Sequence, residues 1–180
     1  PKLALADISA PLRIESAGVA TSMTWKDMRI SVRFGQGLER LSISASELKA
    51  GETPTETMLT AKSTELHLRT VPHEPAEERA ADFVIRLNQA QFAALDSLFG
   101  NQESGSLELT GTATKVLGLR AGAWQNMLEA WRSNNGRLML ENGRIGKGSF
   151  LIEGKGALDL DSTHRLRGDL NVSVKGASPL

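Results

Sequence analysis

From Arg137 to Lys175 the chain alternates apolar and polar positions with a period of two. Leu138 and Leu140 alternate with Arg137, Met139 and Glu141. Phe150, Ile152, Leu158 and Leu160 alternate with Glu153, Lys155 and Asp159. Leu166, Leu170, Val172 and Val174 alternate with Arg165, Arg167, Asp169, Asn171, Ser173 and Lys175. Successive side chains of a strand point to opposite faces, so this pattern gathers the aliphatic residues on one dry side. Asn142-Gly143 and Gly146-Lys147-Gly148 are read as separating the first two strands, and Asp161-Ser162-Thr163-His164 the next two. Such short connections join antiparallel neighbours, because parallel pairing needs a crossover of roughly a dozen residues or more. The expectation is a three-stranded meander with one wet and one dry face.

The N-terminal half repeats the theme less regularly. Leu12 and Ile14 open one strand; Val19, Thr21, Met23 and Trp25 share a face of the next. After a turn at Lys26-Asp27, Met28, Ile30, Val32 and Phe34 share a face, and Leu41, Ile43 and Ala45 follow the loop at Gly35-Gln36-Gly37. Thr55 to Thr70 favours a strand, and Phe83, Ile85 and Leu87 form another short alternating run. Gly-x-Leu-x-Leu or its Val variant recurs at Gly105, Gly136, Gly156 and Gly168. Its spacing is too irregular for a solenoid; a glycine that relieves a strand start or a bulge accounts for it, and the alternative is a ladder of similar strands in an elongated, curved sheet.

Helical spacing breaks in twice. Phe92, Leu95, Leu98 and Phe99 form a stripe over Gln89 to Phe99, with Asn88 as the cap, Gln91 completing a capping box and Gly100 as the stop. Trp124, Met127, Leu128 and Trp131 form a second over Ala121 to Ser133, ended by Asn134-Asn135-Gly136. Helices this short are marginal alone and must dock on something apolar. The expected fold is therefore mainly β (α+β): a curved antiparallel sheet or partly open barrel, strands in meander order, two short helices packed on its apolar face. Residues 1–180 read as one domain; the segment around 72–80, with Pro72-His73-Glu74-Pro75, is the alternative point of subdivision.

Composition narrows the functions open to such a sheet. Lys and Arg number 21, as do Asp and Glu, so no net charge favours nucleic acid or an anionic membrane, although local patches can differ from the mean. Aromatics are 4% with no Tyr, which supplies a base-stacking surface poorly. The absence of Cys excludes disulfides, thiolate zinc sites and cysteine nucleophiles. No apolar run approaches the roughly 20 residues that span a bilayer, and no signal peptide is visible. The chain opens at Pro1 without Met, the expected mark of a piece excised from a longer protein.

Little catalytic chemistry is visible. His67, His73 and His164 fall in a strand, a loop and a turn, with no spacing that would gather metal ligands. Asp159, Asp161 and His164 resemble a site, but Asp, Ser and Thr are ordinary turn residues there. Gly146-Lys147-Gly148-Ser149 lacks the upstream glycine and the following helix of a phosphate loop. No catalytic residue, metal site or cofactor is expected. The candidate residues are those that would line an apolar groove or fill the core: Trp124, Trp131, Leu138, Leu140, Phe150, Ile152, Leu158, Leu160, Leu170 and Val172.

Ala130-Trp131, then Asn135-Gly136-Arg137-Leu138, the run Gly154 to Asp161, and Arg167-Gly168-Asp169-Leu170 resemble the C-terminal signature of a family of unknown function, number twenty-one twenty-five, found in alphaproteobacteria. Pro11 to Ser16 also resembles its middle region. Here Asn135 stands before Gly136 where the family tends to have Gly-Gly, and Lys147-Gly148-Ser149 stands where it tends to have Trp-Gly-Pro. The resemblance implies a periplasmic domain tethered to the inner membrane by an anchor outside these residues. The strand grammar is also similar to that of AsmA-like envelope proteins, whose sheets form apolar grooves associated with lipid transport. The functional expectation is a non-catalytic envelope domain that binds or shields a lipid or other apolar ligand, without nucleic acid. The alternative is a protein–protein interaction module with a filled core and an envelope protein partner.

Overall fold

The computed structural model of the chain describes residues 2–16, 19–35, 37–52, 57–71, 79–99, 103–116 and 124–176. In chain order the strands are β1 (Lys2–Asp7), β2 (Leu12–Ser16), β3 (Val19–Thr24), β4 (Asp27–Phe34), β5 (Leu38–Gly51), β6 (Thr57–Val71) and β7 (Ala80–Phe92). Helix α1 (Ala93–Phe99), β8 (Gly105–Ala113), helix α2 (Trp124–Ser133), β9 (Leu138–Lys147), β10 (Phe150–Leu160) and β11 (Leu166–Lys175) complete it.

All the strands join one antiparallel sheet, and from β4 to β11 each pairs with its chain neighbours. The sheet is open: β11 forms one edge and β1 the other, and the expected meander runs from β4 to β11, while β1 crosses over to pair with β4. On the side away from β6, the 14 residues of β5 serve two partners, β4 along Leu38–Ser46 and β3 along Lys49–Gly51. Strands β3 and β4 are thus one course with a corner at Trp25-Lys26, where the Lys26 amide still donates to the Ser46 carbonyl at 3.0 Å. The expected turn at Lys26-Asp27 is this corner and does not reverse the chain. Their outer partners β2 and β1 break in step around Pro11, which has no amide to donate. The Trp25 indole closes the gap by donating to the Ile8 carbonyl at 2.7 Å.

Two further expectations are corrected. Asn142-Gly143 does not separate strands. Both residues lie inside β9, the ladder to β8 shifts register beside them between Thr110 and Gly111, and the reversal falls at Gly148-Ser149. The helix expected from Gln89 begins at Ala93, because Ala90, Gln91 and Phe92 pair with Ala61, Thr60 and Leu59 of β6. Strand pairing satisfies these backbone groups and overrides a helical stripe of apolar residues. Pro72 to Glu78 and Ala121 to Ala123 lie outside the described residues.

Directly paired residues share a face. One row crosses nine strands through Ala6, Ile30, Ile43, Leu66, Ile85, Leu109, Gly143, Gly154 and Val172. The next runs through Ala4, Val32, Leu41, Leu68, Phe83, Gly111, Leu140, Gly156 and Leu170. Neither row holds a polar side chain. On the opposite face a row runs Asp7, Arg29, Ser44, Glu65, Arg86, Glu108, Arg144, Glu153. Arg86 pairs with Glu108 at 3.1 Å and with Glu65 at 3.6 Å, and Arg29 with Asp7 at 3.1 Å. Each exposed pair is worth at most about 1 kcal/mol. Their alternation of sign nevertheless penalises a slipped register.

Candidate functional site

The apolar face carries the candidate site. Register places Leu138, Leu140, Ile152, Leu158, Leu160, Leu170 and Val172 on it together, with Phe150 opposite Lys147 at its end. Leu160 is buried, the four leucine and isoleucine residues before it are half-buried, and Leu170 and Val172 on the edge strand are 45% and 57% exposed. Sequence reading confined the face to the last three strands. Ile30, Ile43, Leu66, Ile85 and Leu109 extend it across the sheet, and each is half-buried. Their alternation was visible in the sequence, but the register that aligns it was not.

The two helices lie at opposite ends of the strands. At one end α1 packs on β6 and β7, beside a cluster formed by Leu48, Ala61, Leu87 and Ala90 with Met23, Trp25 and Phe92 around it. Lys147, only 2% exposed, pins α1 there: its Nζ donates to Asp96 Oδ1 and to the Glu103 carbonyl, both at 2.6 Å. Lys147 continues the Gly143, Ile145 alternation onto the dry face, a signal hidden by reading Gly146 to Gly148 as a turn. At the other end α2 is held by Trp131, which is buried and whose indole donates to the Thr114 carbonyl at 2.7 Å. Gly136 lets the ring in, since a Cβ there would lie 2.2 Å from the indole nitrogen. The side chain of Trp124 lies outside the described residues. Between the helices, Phe83 lies over Gly111, whose added Cβ would sit 2.8 Å from the ring. Large side chains lying over glycines keep the face smooth.

Polar chemistry is scattered. Among the described residues no group of three or more His, Asp or Glu could hold a metal. His67 meets Ser42 at 3.0 Å on the polar face, and His164 meets Glu129 of α2 at 2.9 Å. Glu129 also accepts hydrogen bonds from Arg132 and Ser133. Arg132 first, then His164 and Ser133, hold its carboxyl far below the usual range. Asp161 is a turn residue as expected: its Oδ1 accepts from the amides of Arg165 and Thr163 and from the Thr163 hydroxyl, which holds its pKa down. Asp159 is held down chiefly by Arg167. The largest described hollow, about 700 Å³, opens on the polar face between Asp7, Asp27, Arg29, Ser46 and Glu65. Its carboxylates are engaged, Asp7 by Arg29 and Asp27 by Ser46, so it is a gap between paired side chains rather than a reactive cluster.

A single-layer, open antiparallel sheet with one continuous apolar face is the class of protein these features define. Over residues 1–180 the chain belongs to the bacterial family described as an uncharacterized protein conserved in bacteria, DUF2125. No curated protein and no solved structure matches it.

Proposed function

We propose that the protein is a non-catalytic cell-envelope domain that shelters a lipid chain or another apolar ligand on its open face. The observation that carries this reading is the pair of nine-strand rows without a polar side chain, whose members are half-buried or exposed apart from the buried Phe83, Gly111 and Gly143. A closed core is the usual use of an apolar sheet face, and it requires a second layer. Among the described residues the helix packing of any extent is that of α1 on β6 and β7. Aliphatic rather than aromatic lining suits acyl chains. The periplasmic setting and the membrane tether come from the family resemblance and belong to the same proposal.

Native mass spectrometry of protein purified from cells, with displacement by a fluorescent fatty acid, tests this. Co-purifying lipid and saturable uptake, weakened by Ile85→Glu in mid-face, are expected. A ligand-free chain that takes up no probe would refute the reading. A second reading, docking of an envelope protein by strand addition, is favoured by β11. That edge pairs with β10 without a bulge, carries no proline and is exposed along its length. In-cell crosslinking from β11 to one dominant protein would support it.

A further inference from the structure

The polar face departs from its alternating charges at one corner. Arg33 of β4, Arg40 of β5 and Arg69 of β6 stand directly opposite one another in register. Opposed Cα atoms in such a ladder are about 4.5–5.5 Å apart, and like charges placed so repel. The outer two arginines have relief: Arg33 pairs with Glu39 at 3.0 Å and Arg69 with Asp82 at 2.6 Å. Arg40, in the middle and exposed, has no side-chain partner among the described residues. It lines a hollow of about 410 Å³ with Lys2, Leu3, Ser31, Arg33 and Ser42. The three arginines Arg33, Arg40 and Arg69 outnumber the two carboxylates, Glu39 and Asp82, in a chain whose net charge is zero.

We infer that this corner binds a phosphate-type oxyanion, presented by the headgroup of an anionic lipid. A guanidinium fork and serine hydroxyls match phosphate oxygens, and an anion between the arginines would turn their repulsion into attraction. The neighbouring edge strand indicates the source. Leu3, opposite Arg33, and Leu5, opposite Ser31, are each 66% exposed on the face that carries the charged row. Exposed leucines beside cations suit a membrane interface, with apolar tips below the headgroups and charges among them. The corner lies on the face opposite the apolar rows, so this inference stands without the lipid-sheltering reading.

Vesicle co-sedimentation tests it, with phosphatidylglycerol against phosphatidylcholine vesicles, alongside titration with inorganic phosphate. Binding to phosphatidylglycerol vesicles is expected to weaken about fivefold for Arg40→Gln, the effect of one basic residue at such a surface. Lys155→Gln, the same charge change elsewhere on the polar face, should leave it unaltered. Leu3→Ser with Leu5→Ser should weaken vesicle binding and leave phosphate binding as it was. Without ligand, Arg40→Gln should melt at or above the unsubstituted chain, because it removes a repulsion. Equal binding to both vesicle types, binding of phosphate alone, or equal losses for Arg40→Gln and Lys155→Gln would overturn the inference.

Discussion

Removing the partners of the buried ion pair at the α1 end one at a time should cost unequal amounts. The Lys147 side chain is 2% exposed and that of Asp96 is 21%. Asp96→Ala therefore leaves an ammonium enclosed with only the Glu103 carbonyl to accept from it, the situation that costs about 3–5 kcal/mol. Lys147→Met keeps the apolar stem and leaves a carboxylate that still reaches water, a loss closer to about 1–2 kcal/mol. Combining Lys147→Met with Asp96→Leu removes both charges and should recover most of the larger loss, since apolar replacement of a buried pair is often neutral. For a chain of this length each kcal/mol moves Tm by about 2–4 °C, so Asp96→Ala should melt roughly 6–20 °C lower. Thermal unfolding followed by far-UV circular dichroism measures all three variants. If Lys147→Met costs as much as Asp96→Ala, or the double variant is no better than the worse single one, the burial argument is wrong.

Other outcomes follow from the same geometry. Gly136→Ala drives a methyl into the Trp131 indole and should cost about 1–3 kcal/mol, seen as faster hydrogen exchange in α2. Arg86→Glu sets like charges against Glu65 and Glu108 and should cost about 1–2 kcal/mol, eased by added salt in urea titrations. Glu129 has a folded-state pKa below its unfolded value, so the unfolded chain binds its proton first as pH falls. Its contribution is complete above the unfolded value and lost progressively below it. Melting temperatures between pH 6 and pH 2 should fall more steeply for the unsubstituted chain than for Glu129→Gln.

The fold was legible where a local rule and the pairing agreed. Leu166 to Lys175 alternates without interruption and forms β11 in that register. Gln89 to Phe92 shows the opposite case: its helical spacing is real, but partners on β6, far away in sequence, decide its backbone. Asn142-Gly143 carries a strong turn signal, yet it is absorbed as an irregularity within β9. The candidate face was legible in part. Alternation identifies which residues share a side of one strand, and it cannot show how nine strands line up. Register also governs the arginine corner, whose three members come from three strands and look unremarkable one by one. Lys147 illustrates a further gap, because burial of a cation depends on a carboxylate 51 residues away.

The sequential order of the strands bears on how the molecule comes apart. Strands β5 to β10 each touch the strands before and after them, so stability accumulates as a sum of neighbour interfaces rather than from one central core. Such an array should fray from its edges, with amide protection rising from β1 and β11 towards β6 and β7. It can also gain or lose a hairpin without rethreading the rest, which makes its length an adjustable property of the architecture.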